Sequence, residues 1–297
     1  MKILLLGKTG QLGSELAERL PKLGQLVAID YPQFDMAQED SIRAILDATA
    51  PNLIVNATAY TAVDRAERDP ELAEAINARG VALLAAESRK RDAFLVHYST
   101  DYVFDGEKGS PYTEEDAVNP LGVYGASKRH GEEAILHAGG DYLIFRTSWV
   151  YSLRNQSGFV QKVLRWSRQH EKLRIVDDQI SNPTWATMLA ETTLRVLSTE
   201  RELLNEKSGL YHLAGADFCS RYAWAKEILA LDSRKDEQKA QEILPAKSDD
   251  FPTPAKRPAF SALNCDLFQK TFGIQLPAWR ESLTQAMREQ KQDEVFS

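Results

Sequence analysis

The chain has 297 residues, 43% of them hydrophobic, which suits one large α/β body or two closely joined domains. A net charge of -7 and a sequence pI near 5.4, with no basic patch or tail, argue against nucleic acid as a partner. Single arginines and helix ends still leave room for an anionic ligand. No apolar run approaches the ~20 residues of a membrane span, so no membrane partner is expected. Gly7-Lys8-Thr9-Gly10 interrupts the apolar opening too early for a secretion signal. Cys219 and Cys265 have neither metal nor redox spacing, which fits a reducing, cytoplasmic setting. The five histidines, at 97, 130, 137, 170 and 212, are scattered and read as surface or packing residues.

Lys2 to Leu6 reads as a buried parallel strand. Gly7-Lys8-Thr9-Gly10-Gln11-Leu12-Gly13 follows it, and Ser14 to Leu20 has a helical pattern. Glycine at 7 and 10 lets backbone N–H groups approach a pyrophosphate, and Gly13 lets the helix pack close to the strand. A glycine pattern alone is weak evidence; its place at the first strand-to-helix turn strengthens it. Gln25 to Ile29 is a second strand, and Asp30 at its end is placed to accept bonds from ribose hydroxyls. Its charge would repel a 2′-phosphate, which favours NADH over NADPH; a simple turn before Pro32 is the other reading. Met36, after Asp35, is expected to pack on adenine. Asp40 or Ser41 is expected to cap a helix to about Ala50.

Leu53 to Asn56 is the third strand, and Ala57 to Thr61 supplies small residues at its carboxyl end, where open α/β sheets bind ligands. One helical stretch is expected from Asp69-Pro70 to Arg91. Phe94 to Tyr98 is a strand leading to Thr100, then a polar loop runs from Phe104 to Pro120, a helix from Tyr124 to His137, and a fifth strand from Tyr142 to Phe145. This alternation implies a doubly wound, mainly parallel sheet with right-handed crossovers.

Beyond Tyr151 the pattern changes. Helices are expected over Phe159 to His170, Trp185 to Leu197 and from Ser220 or Arg221 to Leu231. Short strands are expected at Leu173 to Val176 and Gly209 to Leu213, the latter able to rejoin the main sheet. Asp232 to Gln241 reads as a solvated charge run or mobile loop. Phe251 to Pro258 holds three prolines, so it is neither helix nor central strand, and its arginine suits an anion. Leu276-Pro277 opens a last helix. The expected fold is α/β: a Rossmann-like doubly wound sheet in residues 1–150, completed by segments near 173–214, with a smaller C-terminal α/β substrate-binding domain over 151–297.

Tyr124 and Lys128 are four apart and so share a helix face. A phenol normally titrates near pKa ~10, and a close cation favours the phenolate. Such a pair suits proton donation to a basic oxygen, with Thr100 at a strand end able to bond the same oxygen. Two residues at one spacing recur by chance, so the pair gains weight only beside the glycine turn.

Taken together, Gly7-x-x-Gly10-x-x-Gly13, Ser99 to Phe104 and Tyr124-x-x-x-Lys128 resemble the extended short-chain dehydrogenase/reductase family. Asn56 to Asp64, Phe145 to Tyr151 and Arg257 to Asn264 narrow the resemblance to its reductases of dTDP-4-dehydro sugars. The resemblance implies that NADPH or NADH reduces the C4 ketone of dTDP-4-dehydro-L-rhamnose to give dTDP-L-rhamnose. It implies Tyr124 as proton donor, Lys128 as its partner and cofactor-ribose contact, and Thr100 as hydroxyl partner. Gly7, Gly10, Gln11, Leu12, Gly13, Asp30, Asp35, Met36, Ala59, Tyr60 and Thr61 would hold the cofactor with Tyr124 and Lys128. Thr100, Asp101 and Trp149 would lie against the sugar, and Asn182, Thr184 and Arg257 on the nucleotide side.

Some members of the family dimerise around magnesium held by glutamates. Glu15 matches one such position, but Thr187 and Arg280 stand at the others. Magnesium prefers several oxygen ligands, so no metal and a monomer or weak homodimer are expected. A sugar-nucleotide epimerase or dehydratase, and a non-catalytic NADP-binding regulatory subunit of the same fold, remain alternatives. A dehydratase would want an acid pair beside the hydroxyl, whereas Asp101 is followed by Tyr102. Intact Thr100, Tyr124 and Lys128 count against lost catalysis.

Overall fold

Short apolar runs bounded by turns build a six-stranded parallel sheet at the centre of the protein. The computed structural model describes residues 1–154 and 158–296. The strands are β1 (Lys2–Leu6), β2 (Gln25–Ile29), β3 (Leu53–Asn56), β4 (Phe94–Thr100) and β5 (Tyr142–Thr147), with Gly209–His212 beyond β5. Their order is Gly209–His212, β5, β4, β3, β1, β2, and every neighbouring pair is parallel. β3 and β4 are buried at every position, as a sheet covered on both faces requires.

Period-two alternation sorts the core into two layers. Ile3 and Leu5 of β1 pack with Leu12 and Leu16 of the first helix, α1 (Gln11–Arg19), and with Leu189 and Val196 of the helix Ala186–Leu197. Leu4 and Leu6 pack on the other face with Ile42, Leu46, Val81 and Leu84. The chain crosses the sheet in opposite directions on either side of β1, with β2 on one flank and β3 on the other. The carboxyl ends of the strands at that reversal are where such sheets hold ligands.

A second core joins Val163, Trp185, Trp224, Ile228, Trp279 and Leu283. It draws on the helices Phe159–Gln169, Arg221–Leu231 and Trp279–Phe296. Gly209–His212 rejoins the main sheet, but Lys172–Val176 does not; it pairs in parallel with Glu242–Ala246, a strand the sequence pattern did not reveal. Among the described residues no helix is long and apolar enough to cross a membrane.

Three local expectations change. The stretch expected as one helix over 69–91 is Pro70–Glu74, a π turn at Ala75–Arg79, and Gly80–Lys90. At Gly80 a Cβ would stand 2.2 Å from the Met36 carbonyl oxygen, a tertiary contact that periodicity cannot show. The helix expected to be capped at Asp40 or Ser41 spans Glu39–Thr49, and Ser41 Oγ instead accepts the Asp35 N–H at 2.9 Å. Asp232 is buried rather than solvated, with both carboxylate oxygens 3.0 Å from Arg168 Nη2.

Gly13 sets how closely α1 approaches β1, since a Cβ there would lie 1.8 Å from the Gly7 carbonyl oxygen. Gly13→Ala should lower stability by about 1–3 kcal/mol or more, as overpacking does. Urea unfolding reads this directly, and an unchanged midpoint would show that the turn can yield.

Candidate active site

Tyr124 and Lys128 lie on the helix Val123–Ala138, which starts without a side-chain cap of its own. Glu67 substitutes, accepting the Val123 N–H at 2.8 Å. At Gly125 a Cβ would stand 2.2 Å from the Tyr102 carbonyl oxygen, so the helix packs directly on the turn that follows β4. That approach brings Tyr124 to Thr100. Burial pushes the Tyr124 phenol above its ordinary pKa, with the Thr100 hydrogen bond opposing the rise. The phenol therefore holds its proton at neutral pH, as a proton donor must.

Lys128 is buried. Its Nζ donates to the Tyr98 carbonyl at 2.7 Å and lies 3.1 Å from His97 Nε2. Burial lowers its pKa to about 8, and Glu132 one turn further on resists that drop. Lys128 is not among the groups that bear on the Tyr124 phenol here, so the lowering expected from lysine and a nicotinamide cation together rests on the bound cofactor. The sequence could not show that the ammonium would be desolvated.

Thr100 Oγ1 accepts the Tyr102 N–H at 3.1 Å and donates to Asp101 Oδ1 at 3.2 Å. Asp101 is buried, and its Oδ2 accepts from Ser261 at 2.5 Å and Ser181 at 3.1 Å. Burial raises its pKa, and the bonds from Ser261, Ser181 and Thr100 counter the rise. Trp149 has φ 40° and stacks on Trp224 with centroids 5.6 Å apart. The Arg221 guanidinium covers its ring at 3.7 Å.

Beside this group opens a cleft of about 950 Å³ whose wall includes Phe159, Arg174, Arg221, Phe251, Lys256 and Arg257. Ala255 and Lys256 also border a small space lined by Tyr102 and Tyr124. Arg257 donates to Asp64 at 2.8 Å.

The predicted cofactor residues divide. Gly7 has φ 88°, and a Cβ there would meet Ala57 and Thr58 at 2.9 Å. At Gly10 a Cβ would touch only the Gly7 carbonyl, at 3.5 Å, so the fold itself does not demand glycine there. A ligand passing over the turn would. The first turn of α1 has no side-chain cap, which leaves its N–H groups for an anion. Thr147 Oγ1, buried at the end of β5 opposite Thr100, has no hydrogen-bond partner among the described residues. These features fit a dinucleotide. Asp30 Oδ2 accepts from the Thr9 N–H at 2.8 Å and the Thr9 hydroxyl at 2.6 Å, tying the second strand's end to the glycine turn. Ala59, Tyr60 and Thr61 follow β3 at the same edge, with the Tyr60 N–H held by Asn77 Oδ1 at 2.8 Å.

Several expected contacts are engaged elsewhere. Met36 is buried in the core under the helix Gly80–Lys90 rather than open to adenine. Leu12 is in the core below α1, and the Asp35 carboxylate accepts its own turn's Ala37 N–H. Gln11 pins the chain after β5, accepting the Ser152 N–H at 3.0 Å. Asn182 and Thr184 are buried struts, not walls of the large cleft. The Asn182 amide bonds Gly215, Asp217 and Leu263, and Thr184 Oγ1 accepts the Gly215 N–H at 3.0 Å. An Asn-Pro-Thr turn does not reveal from sequence which way its side chains face.

Sequence reasoning missed Asn77, His97, Arg221 and Glu132. Asn77, in the π turn, bonds Tyr60 and Ser127 and so joins two site segments. The only sequence signal for Glu132 was its spacing of four from Lys128.

Glu15 accepts from Arg19 at 2.8 Å and lies 3.5 Å from Arg154, in a cleft shared with Thr187 and Glu289. Arg280 lies over the Trp279 ring and pairs with Glu227 at 3.6 Å. Among the described residues no three His, Cys, Asp or Glu side chains gather as metal ligands.

Residues 1–292 match the family described as the RmlD substrate binding domain. The chain belongs to that family. It is 40% identical to a dTDP-4-dehydrorhamnose reductase from Burkholderia thailandensis, over 97% of this chain and 99% of the relative. It is 38% identical to the Escherichia coli K12 enzyme of that name, over 97% and 98%. A dTDP-4-dehydrorhamnose reductase structure from Clostridium acetobutylicum superposes with a TM-score of 0.90 at 34% identity, covering 98% of this chain and all of that one. The Bacillus anthracis enzyme, solved with NADP, gives 0.89 at 31% identity, covering 97% and 100%.

Within this family member the site hangs on one buried ion pair. Glu132 accepts from Arg146 Nε at 2.8 Å and Nη2 at 2.7 Å, and from Ser99 Oγ at 2.5 Å. Glu132→Leu would strand the Arg146 charge and should cost about 3–5 kcal/mol of stability. Thermal unfolding checks it, and a loss below about 1 kcal/mol would place the pair at the level of surface bridges.

Proposed function

We infer that the protein reduces the C4 ketone of dTDP-4-dehydro-L-rhamnose to dTDP-L-rhamnose with NADPH or NADH. The observation that carries this is the buried Tyr124 phenol, set beside Thr100 next to a cleft walled by arginines and aromatic rings. Relatives near 40% identity over almost the whole chain carry the same reductase name.

The nicotinamide, when bound, supplies the hydride. Tyr124 gives its proton to the ketone oxygen, and Thr100 bonds the same oxygen, so charge does not accumulate there. Arg221 and Arg257 suit a diphosphate, because guanidinium forks match phosphate oxygens. Phe159 and Phe251 offer rings for the base. Trp149, held against Trp224 and covered by Arg221, and Asp101 border the sugar's place. The glycine turn, the uncapped α1 and Asp30 hold the dinucleotide. We assign residues 1–150 with the returning strand Gly209–His212 to cofactor binding, and most of 151–297 to the substrate.

We read the protein as a cytoplasmic enzyme, a monomer or weak homodimer that needs no metal. Its two cysteines are unpaired, and the Glu15 carboxylate is already occupied by Arg19 and Arg154. A dehydratase reading is weaker, because the residue after Asp101 is Tyr102, whose ring meets Tyr124 edge-on at 5.6 Å.

Turnover of dTDP-4-dehydrorhamnose with either nicotinamide cofactor tests the assignment. Tyr124→Phe should lower kcat by at least ~100-fold, the low end for losing an acid–base group, while cofactor still binds. Near-normal turnover would remove Tyr124 from the chemistry.

Cofactor choice gives a second test. The Asp30 charge disfavours a 2′-phosphate by about 1 kcal/mol at ~4 Å in water, and by more where water is excluded. Lys8 in the same turn can offset part of it, so both cofactors should work with a modest bias to NADH. In Asp30→Asn the ratio of kcat/KM values should shift toward NADPH. A ratio that stays put would mean Asp30 does not face the ribose.

A further inference from the structure

Asn56 and His97 are both fully buried, and they stand opposite each other where β3 pairs with β4. Asn56 Nδ2 lies 3.1 Å from His97 Nδ1, and His97 Nε2 lies 3.1 Å from Lys128 Nζ. The direction of this row is fixed at its far end. Asn56 Oδ1 meets the Thr58 backbone N–H at 3.1 Å and the Thr58 hydroxyl at 2.6 Å. A backbone N–H can only donate, so Asn56 presents its oxygen to Thr58 and its NH₂ to His97. His97 Nδ1 must then accept, which leaves the ring hydrogen on Nε2, facing Lys128. An ammonium has three donors and no acceptor, whereas an amine has a lone pair that can take that hydrogen. The amine keeps two hydrogens, one of which serves the Tyr98 carbonyl. With Lys128 charged, one donor–donor contact must arise, at His97 or at Thr58.

We propose that Asn56 locks His97 in its Nε2–H tautomer and that this N–H stabilises the uncharged amine of Lys128, making His97 a positioning residue for proton return to Tyr124. The proposal rests on the reductase reading of Tyr124 and Lys128. After Tyr124 has given its proton away, Lys128 gives one up for the return to the phenolate and is reprotonated from solvent before the next turnover. Ammonium and phenolate become amine and phenol, and the new lone pair accepts His97 Nε2–H. The lowering of the Lys128 pKa to about 8 agrees in direction, although burial is its leading cause. Burial and the Lys128 charge both hold His97 neutral, well below the usual imidazole range.

Besides His97, Lys128 Nζ meets the Tyr98 carbonyl of β4 and the charge of Glu132 on its own helix. Glu132 is the charge that bears on Lys128 directly, and it is spent largely on Arg146 from β5 and Arg129. Asp101 and Tyr102 act on Tyr124.

The test is the tautomer itself, read from nitrogen shifts of ¹⁵N-histidine-labelled protein between about pH 5 and 8. His97 should show a protonated Nε2 and a bare Nδ1 throughout. An Nδ1–H tautomer or an imidazolium would overturn the proposal, whatever the enzyme turns over. Asn56→Asp places a carboxylate that accepts Nδ1–H, so the tautomer should invert. The alkaline limb of the kcat profile should then move up by at least about half a pH unit, as the ammonium gains an acceptor. His97→Gln, whose amide oxygen can face the lysine, should move the limb the same way with cofactor KM little changed. Limbs unmoved in both variants would overturn the coupling to Lys128, and either folded variant alone suffices to decide it. Lack of reductase turnover in the parent protein would refute the proposed function, while the tautomer would still be read.

Discussion

The buried contact between Glu132 and Arg146 is the constraint on which the site depends. Glu132 is one helical turn from Lys128, and its carboxylate is gripped by Arg146 of β5 and Ser99 of β4. Helix and sheet are thereby fixed in both rotation and height. A shift of the helix would carry Tyr124 away from Thr100 and Lys128 away from the Tyr98 carbonyl. Hydrophobic packing alone would not select one register so sharply, because it is non-directional. A bidentate pair in low dielectric is costly to form and costlier to leave half-made. The Phe104 ring, 5.1 Å from the Arg146 guanidinium, adds a further restraint.

Around that anchor the protein concentrates polar groups where it excludes water. Asn56, His97, Ser99, Thr100, Asp101 and Lys128 are all buried at the carboxyl ends of β3 and β4. Desolvation raises the pKa of the Tyr124 phenol and of the Asp101 carboxyl, and lowers that of Lys128. Each shift favours the neutral form, as burial of a charge must. The result is a phenol drawn toward its protonated form and a lysine drawn toward its neutral one. A solvated Tyr–Lys pair of the same spacing would have neither property.

The C-terminal body serves that chemistry by presenting aromatic and cationic surface to one opening. Trp149, at a positive φ, stacks on Trp224 and is covered by Arg221. Asn182 and Thr184 do not line the opening; they tie together the loops at Gly215, Asp217 and Leu263. Ser181 and Ser261 reach from this body to Asp101, so the two halves of the site are hydrogen-bonded together.

Sequence alone was enough to anticipate the sheet and to single out the glycine turn, Thr100, Tyr124 and Lys128 as the expected site. Those follow from local rules: period-two burial of β1, β3 and β4, glycine where backbone approaches backbone, and four-residue spacing on a helix. Even the return of Gly209–His212 to the sheet was legible, because a short apolar strand needs a partner. Only the tertiary structure decided where side chains at equal sequence distance would point. It put Met36 and Leu12 into the core, gave Lys172–Val176 a partner seventy residues on, and set His97 behind Lys128. It also added the burial that raises the Tyr124 phenol. Burial and amide orientation are sums over residues distant in the chain, and no local pattern carries them.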